Sequence, residues 1–167
     1  MNRPSTLAAV SASFLFLALP VCSGDASAQD KNALVGAWAV VSATTIDASG
    51  KRSPTFGPNP RGQLIFTPNG RYSLTLMSAK LPKFASGSRT KGTAEENNAV
   101  VTGSISHFGK YTVDDKSFTF NVEAASYPNW DGIPQKRPMQ ISGNQLTYQV
   151  AAASAGGTAE VIWKRIK

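Results

Sequence analysis

The sequence predicts an all-β protein, an antiparallel up-and-down barrel of about eight strands carrying one short helix. Three observations lead to it. Apolar residues recur with a period of two in run after run along the chain, the spacing that puts one face of a strand inward. The runs are joined by short turns rich in Gly, Asn, Asp and Pro, so neighbours in sequence pair antiparallel. A meander of this length closes most economically on itself, because closure removes unpaired strand edges. Eight strands leave an interior wide enough for one small ligand.

The chain opens on a leader. Arg3 supplies a positive start, Leu7 to Val21 is an apolar run, and Ala26-Ser27-Ala28 is a small-x-small cleavage pattern. Residues 1–28 read as a secretory signal peptide cut before Gln29, leaving residues 29–167 as one domain exported to the periplasm or medium. The apolar run is too short for an integral membrane span. A lipoprotein signal ending at Cys22 competes with this reading, but Val21 is not the small residue such a signal places before its cysteine. Cys22 is the only cysteine. The expected mature domain therefore has no disulfide, thiol nucleophile or thiolate metal site, and rests on its core alone.

The strands follow. Leu34 to Ile46 is rich in β-branched residues, with Leu34, Gly36, Trp38 and Val40 on one face, and ends in the turn Asp47-Ala48-Ser49-Gly50. Phe56 to Gly62 holds two prolines and two glycines and reads as an entry loop to a hairpin. In that hairpin Leu64 and Phe66, then Tyr72, Leu74 and Leu76, face inward across the turn Thr67-Pro68-Asn69-Gly70. Residues 79–92 form a long loop rich in Lys, Ser and Gly. Thr93 with Glu96 is a capping box that starts the helix, and Val101, Ile105 and Phe108 continue at helical spacing. Period two then returns with His107, Gly109, Tyr111 and Val113, followed by Phe118, Phe120, Val122 and Ala124. A second proline-rich loop, Tyr127 to Pro134, carries Trp130. Arg137, Met139 and Ile141 alternate before a turn at Gly143-Asn144, Leu146, Tyr148 and Val150 alternate after it, and a last strand from Ala159 puts Val161, Trp163 and Arg165 on one face.

Several of these pieces together resemble a known family. Leu34-Val35-Gly36-Ala37-Trp38, Gly57-Pro58-Asn59-Pro60-Arg61-Gly62, Thr67-Pro68-Asn69-Gly70-Arg71, Phe108-Gly109-Lys110-Tyr111-Thr112-Val113-Asp114 and Pro128-Asn129-Trp130 are similar to bacterial and fungal lipocalin-like domains. The resemblance spans residues 29–167 and implies a calycin-type barrel, with little said about chemistry. The chain departs from the family pattern at Asn69, where the turn usually carries Asp, and near Asn121, where members often carry histidine. Similarity to lipocalins proper also implies structural roles for two residues, with Trp38 closing the barrel floor and Arg165, inward by alternation with Trp163, lying across it.

Composition narrows the function. The 17 Lys and Arg exceed the 10 Asp and Glu by +7, but they are scattered, without the clustered footprint that nucleic-acid binding needs. His107 is the only histidine, so no multi-histidine metal site exists, and nothing in the sequence asks for a cofactor. Its readings are a general base working with a tyrosine, a residue that merely ends the helix, or a hydrogen-bonded wall residue. Arg137, inward by alternation, holds an acidic group of a ligand, pairs with Glu123 or Asp131 at the rim, or is simply exposed after the loop. Tyr72, Tyr111 and Tyr148 add hydroxyls to the apolar inward rows, and Phe56 and Trp130 rim the mouth, together the make-up of a ligand pocket. The leading expectation is an exported binder of a small apolar or amphipathic, possibly acidic molecule. The alternatives are an isomerase, cyclase or hydrolase using His107, and a basic interaction protein with a fully packed barrel.

Overall fold

The computed structural model describes residues 31–154 and 156–167; the expected leader of residues 1–28, the cleavage expected before Gln29, and Cys22 lie outside them. A single turn, α1 (Lys31–Leu34), leads into β1 (Gly36–Ile46), β2 (Arg52–Pro54), β3 (Arg61–Phe66) and β4 (Arg71–Met77). After α2 (Ala94–Thr102) come β5 (Ser104–Asp114) and β6 (Ser117–Ala125), a 3-10 turn at Pro128–Trp130, then β7 (Pro134–Ser142), β8 (Gln145–Val150) and β9 (Thr158–Arg165). From β3 to β9 each strand pairs antiparallel with the next, β3 pairs with β1, and β1–β9 pairing closes the ring. Eight strands thus make a closed barrel and β2 is an addition to it. Among the described residues no helix is long and apolar enough to cross a membrane.

The turns follow their residues. Asp115-Lys116 and Gly143-Asn144 are two-residue connections between Asp114 and Ser117 and between Ser142 and Gln145. The Thr67 to Arg71 turn closes through Thr67 N–H to Arg71 O at 2.9 Å, with Gly70 at φ 82°, a left-handed conformation that suits glycine.

Three expectations are corrected. First, Leu34 lies in α1 rather than in β1, and β1 does not keep one inward parity. A bulge between Val40 and Ser42 carries the inward row from Trp38 to Ala43 and leaves Val41 51% exposed, because the extra residue of a bulge shifts every later side chain to the other face. Second, β2 was not foreseen. It pairs Arg52, Ser53 and Pro54 with Ile46, Thr45 and Thr44, and all three of its residues are exposed, so it has no inward row to betray it. Third, the helix stops at Thr102, where the Gly103 N–H closes onto Ala99 O at 2.9 Å. Ile105 and Phe108 belong to β5, and Phe108 points to solvent.

The core divides the barrel into two halves. Around the start of β1, Leu34, Trp38, Phe66, Tyr111, Phe118 and Trp163 are buried and fill the floor; the Phe66 ring meets Tyr111 edge-on at 4.8 Å and Phe118 at 5.5 Å. Arg165 seals this end from outside, its guanidinium 4.1 Å from the centre of the Trp38 ring while Nη1 and Nη2 donate to Val35 O at 2.7 Å and Ala33 O at 2.5 Å. This contact is made by the two residues for which structural roles are expected, Trp38 and Arg165. The opposite half is not filled.

Candidate functional site

That unfilled half is a cavity of about 490 Å³, within the range of small-molecule pockets. Its walls are apolar, with Leu74, Leu76 and Ile105 on β4 and β5, Phe120 on β6 and Val161 on β9. The fully packed barrel that an interaction-only protein requires is therefore not what the chain forms. Phe56, from the entry loop, and Trp130, from the 3-10 turn, stand at the mouth, and α2 contributes Val100, Val101 and Thr102 beside them. The start of the helix is set by its capping box, in which Thr93 Oγ1 accepts from Glu96 N–H and Glu96 Oε2 accepts from Thr93 N–H at 2.9 Å. The other carboxylate oxygen of Glu96 accepts from Ala85 N–H at 2.8 Å, tying the loop of residues 79–92 to the helix.

The titratable side chains that barrel strands bring to the cavity are His107 of β5, Arg137 of β7 and Tyr148 of β8, beside hydroxyl-bearing residues such as Thr55, Ser104 and Ser126. Arg137 is only 9% exposed. Its Nη1 donates to Lys136 O at 3.1 Å and its Nη2 to Gln135 Oε1; both acceptors are neutral. The partners expected for it at the rim are engaged elsewhere, since Glu123 accepts two hydrogen bonds from Arg71 and Asp131 accepts from Ala125 N–H. No carboxylate pairs with Arg137 among the described residues, whereas Arg52, Arg71 and Lys136 each have one. Burial pulls the Arg137 pKa below its ordinary value, but a guanidinium keeps its charge at neutral pH all the same. A buried cation without a counter-ion is costly, and the cost is relieved by an acceptor of opposite charge.

The neighbouring groups are neutral. Burial, with Arg137 second, holds the His107 imidazole down at about 4. Burial pushes Tyr148 up to about 12 and raises Tyr72 further. The Tyr72 hydroxyl and His107 Nδ1 are 2.8 Å apart. Phenol is the more acidic partner and imidazole the more basic, so Tyr72 donates and the remaining hydrogen of His107 sits on Nε2. The Trp163 indole N–H has no hydrogen-bond partner of good geometry and lies beside Tyr148, whose pKa it slightly lowers. Around Arg137 the polar wall thus offers the donors of Tyr148 and His107, both uncharged. A neutral imidazole held near a fixed cation resists taking up a proton, which suits it to hydrogen bonding more than to the role of a base. Among the described residues no group of three or more His, Cys, Asp or Glu could hold a metal ion.

Of the residues picked out from sequence, the fold gathers Phe56, His107, Trp130, Arg137 and Tyr148 around one cavity. Tyr72 joins them indirectly, through His107. Tyr111 does not join them: it lies in the floor and its hydroxyl donates to Thr67 O at 3.0 Å, because its position on β5, two inward places beyond His107, falls in the packed half. Sequence reasoning passed over Gln135, which the alternation of Arg137 and Met139 already puts on the inward face.

Over 82 residues the chain is 32% identical to the 4'-hydroxy-3'-methoxypropiophenone carrier protein ppsC of Aspergillus oryzae, a match covering 44% of this chain and 74% of that protein. Among solved structures it is similar to a variant of the fluorescent protein UnaG at 12% identity and a TM-score of 0.36, covering 78% of this chain and 94% of that one, a likeness too distant to argue from. Residues 35–166 match the model of the lipocalin-like domain, which takes in every barrel strand described above, and the chain therefore belongs to the lipocalin-like domain family.

Proposed function

We propose that this chain is an exported carrier that holds one small, largely apolar, acidic molecule inside the barrel, its apolar body against Leu76, Phe120 and Val161 and its acidic oxygens at Arg137. The observation that carries this reading is the Arg137 guanidinium, buried in the cavity wall with neutral partners only. Tyr148 and His107 add donors beside it, so the bound group is one that accepts hydrogen bonds. The named cargo of the Aspergillus oryzae relative is an aromatic ketone whose polar atoms are all oxygens, which supports a small, largely apolar, oxygen-bearing ligand, while its acidity rests on Arg137. The apolar leader pattern of residues 1–28 supports export, to the periplasm or outside the cell.

Native mass spectrometry of protein purified from its own host is expected to show one small molecule bound per chain. The purified protein is expected to bind 1-anilinonaphthalene-8-sulfonate saturably, and Arg137→Met to weaken that binding on the order of tenfold or more, the worth of one charge-assisted hydrogen bond, with thermal unfolding still cooperative. A protein that binds neither this probe nor any co-purifying molecule sinks the proposal. Sequencing of the mature amino terminus should begin at Gln29.

A further inference from the structure

We infer that Gln135 sets the charge selectivity of this cavity: its amide oxygen positions the Arg137 guanidinium without neutralising it, so the site takes a monoanion in preference to the uncharged form of the same molecule. The inference rests on the ligand-binding reading above and adds to it a residue that decides the charge of the ligand.

Gln135 and Arg137 are two apart on β7 and share its inward face, at 7% and 9% exposure. They stand opposite Phe120 and Phe118 of β6, so water does not solvate either polar group well. A guanidinium has donors only, so the amide must turn its oxygen to Arg137 Nη2 and its NH2 away. This fixes the guanidinium in place, held also by Lys136 O, and leaves the full positive charge in the site.

A glutamate would fill the same volume and reach the same nitrogen, and elsewhere the chain does pair arginine with glutamate: Arg52 with Glu160 and Arg71 with Glu123. Those two pairs lie on the outer surface. At the one arginine that lines the cavity, the partner is the uncharged isostere of that residue. The other groups facing Arg137 are His107 from β5, Tyr72 from β4 and Tyr148 from β8, all neutral at pH 7. The site therefore carries one net positive charge, which a single anionic group matches and an ester or amide does not. Removing Gln135 would leave that charge but free the guanidinium to move, and replacing it with glutamate would cancel the charge from within.

The test is calorimetric titration at pH 7 of 6-phenylhexanoic acid and its methyl ester into the protein of residues 29–167. The wild type is expected to bind the acid at least tenfold more tightly than the ester. Gln135→Glu is expected to lower that acid-to-ester ratio tenfold or more. Gln135→Met, which keeps the charge but loses the acceptor, is expected to lower it several-fold, less than Gln135→Glu does. Thermal unfolding confirms that each variant folds; should Gln135→Glu not fold, the Gln135→Met ratio decides. A ratio unchanged from wild type in the variants that fold overturns the inference while ester binding leaves the carrier reading standing. A wild type that binds the two compounds equally, or binds neither, also overturns the inference; the carrier reading falls only if 1-anilinonaphthalene-8-sulfonate and co-purifying molecules fail to bind as well.

Discussion

His107 sits in a wall where burial and the nearby Arg137 hold its pKa at about 4, against 6.5 for a free imidazole. Between those two values the unfolded chain takes up a proton that the folded chain refuses. The native state is therefore at full advantage above pH 6.5 and loses, as pH falls toward 4, on the order of 3 kcal/mol from this one group. His107→Gln, which keeps a hydrogen-bonding group for Tyr72, should flatten the fall in unfolding temperature between pH 6.5 and 4. The paired surface carboxylates Asp114 and Glu123 contribute equally to both proteins, so equal slopes in variant and wild type would contradict the assignment. Arg165 acts at the far end of the barrel. Arg165→Met loses the contact with Trp38 and leaves the carbonyls of Ala33 and Val35 without their donors; unfolding in urea should show a loss of about 2 to 4 kcal/mol. Because the floor separates this residue from the cavity, probe binding by the folded variant should be retained.

Among the elements, α2 is held over the mouth with little burial, since none of its residues is buried. Its stability depends on Glu96, which caps Thr93 and binds Ala85 at once. Glu96→Ala should cost about 0.5 to 2 kcal/mol, the usual worth of a cap, and should speed amide exchange across residues 79–103 while leaving β5 to β9 protected. Uniformly faster exchange would show instead that the helix is integral to the barrel. The bulges work in the other direction, fixing strand geometry. At the shift between Phe108 and Gly109 a side chain on Gly109 would lie 2.1 Å from Asn121 O, so the close approach of β5 and β6 admits only glycine there.

The whole molecule is a barrel filled at one end and open at the other. A ligand that binds only this folded form stabilises it by mass action, about 2.7 kcal/mol at a hundredfold excess over Kd. The unfolding temperature should therefore rise with the concentration of an acidic ligand, and should rise less in Arg137→Met at the same concentrations. An identical rise in both proteins would move the binding site away from Arg137. Trp130, at the mouth and edge-on to His107 at 5.6 Å, offers a fluorescence readout of the same titration.

The sequence by itself determined the class of fold, the order of nearly all the strands, the capping box of α2, and the inward rows that hold Arg137, Tyr148 and His107. All of these follow from local periodicity and turn chemistry, which short stretches of chain carry alone. The resemblance to lipocalins also pointed to Trp38 and Arg165, the latter placed inward by the alternation of the last strand. Only the tertiary structure decided that Tyr111 belongs to the floor while Tyr148 faces the cavity, since both lie on inward rows and differ only in height along the barrel. The end of α2, the bulge in β1 and the edge strand β2 were likewise settled by packing and strand pairing between distant segments. The missing counter-ion of Arg137 belongs there too. Whether an inward charge is paired depends on which side chains the closed barrel brings within reach, and no period in the sequence records that distance.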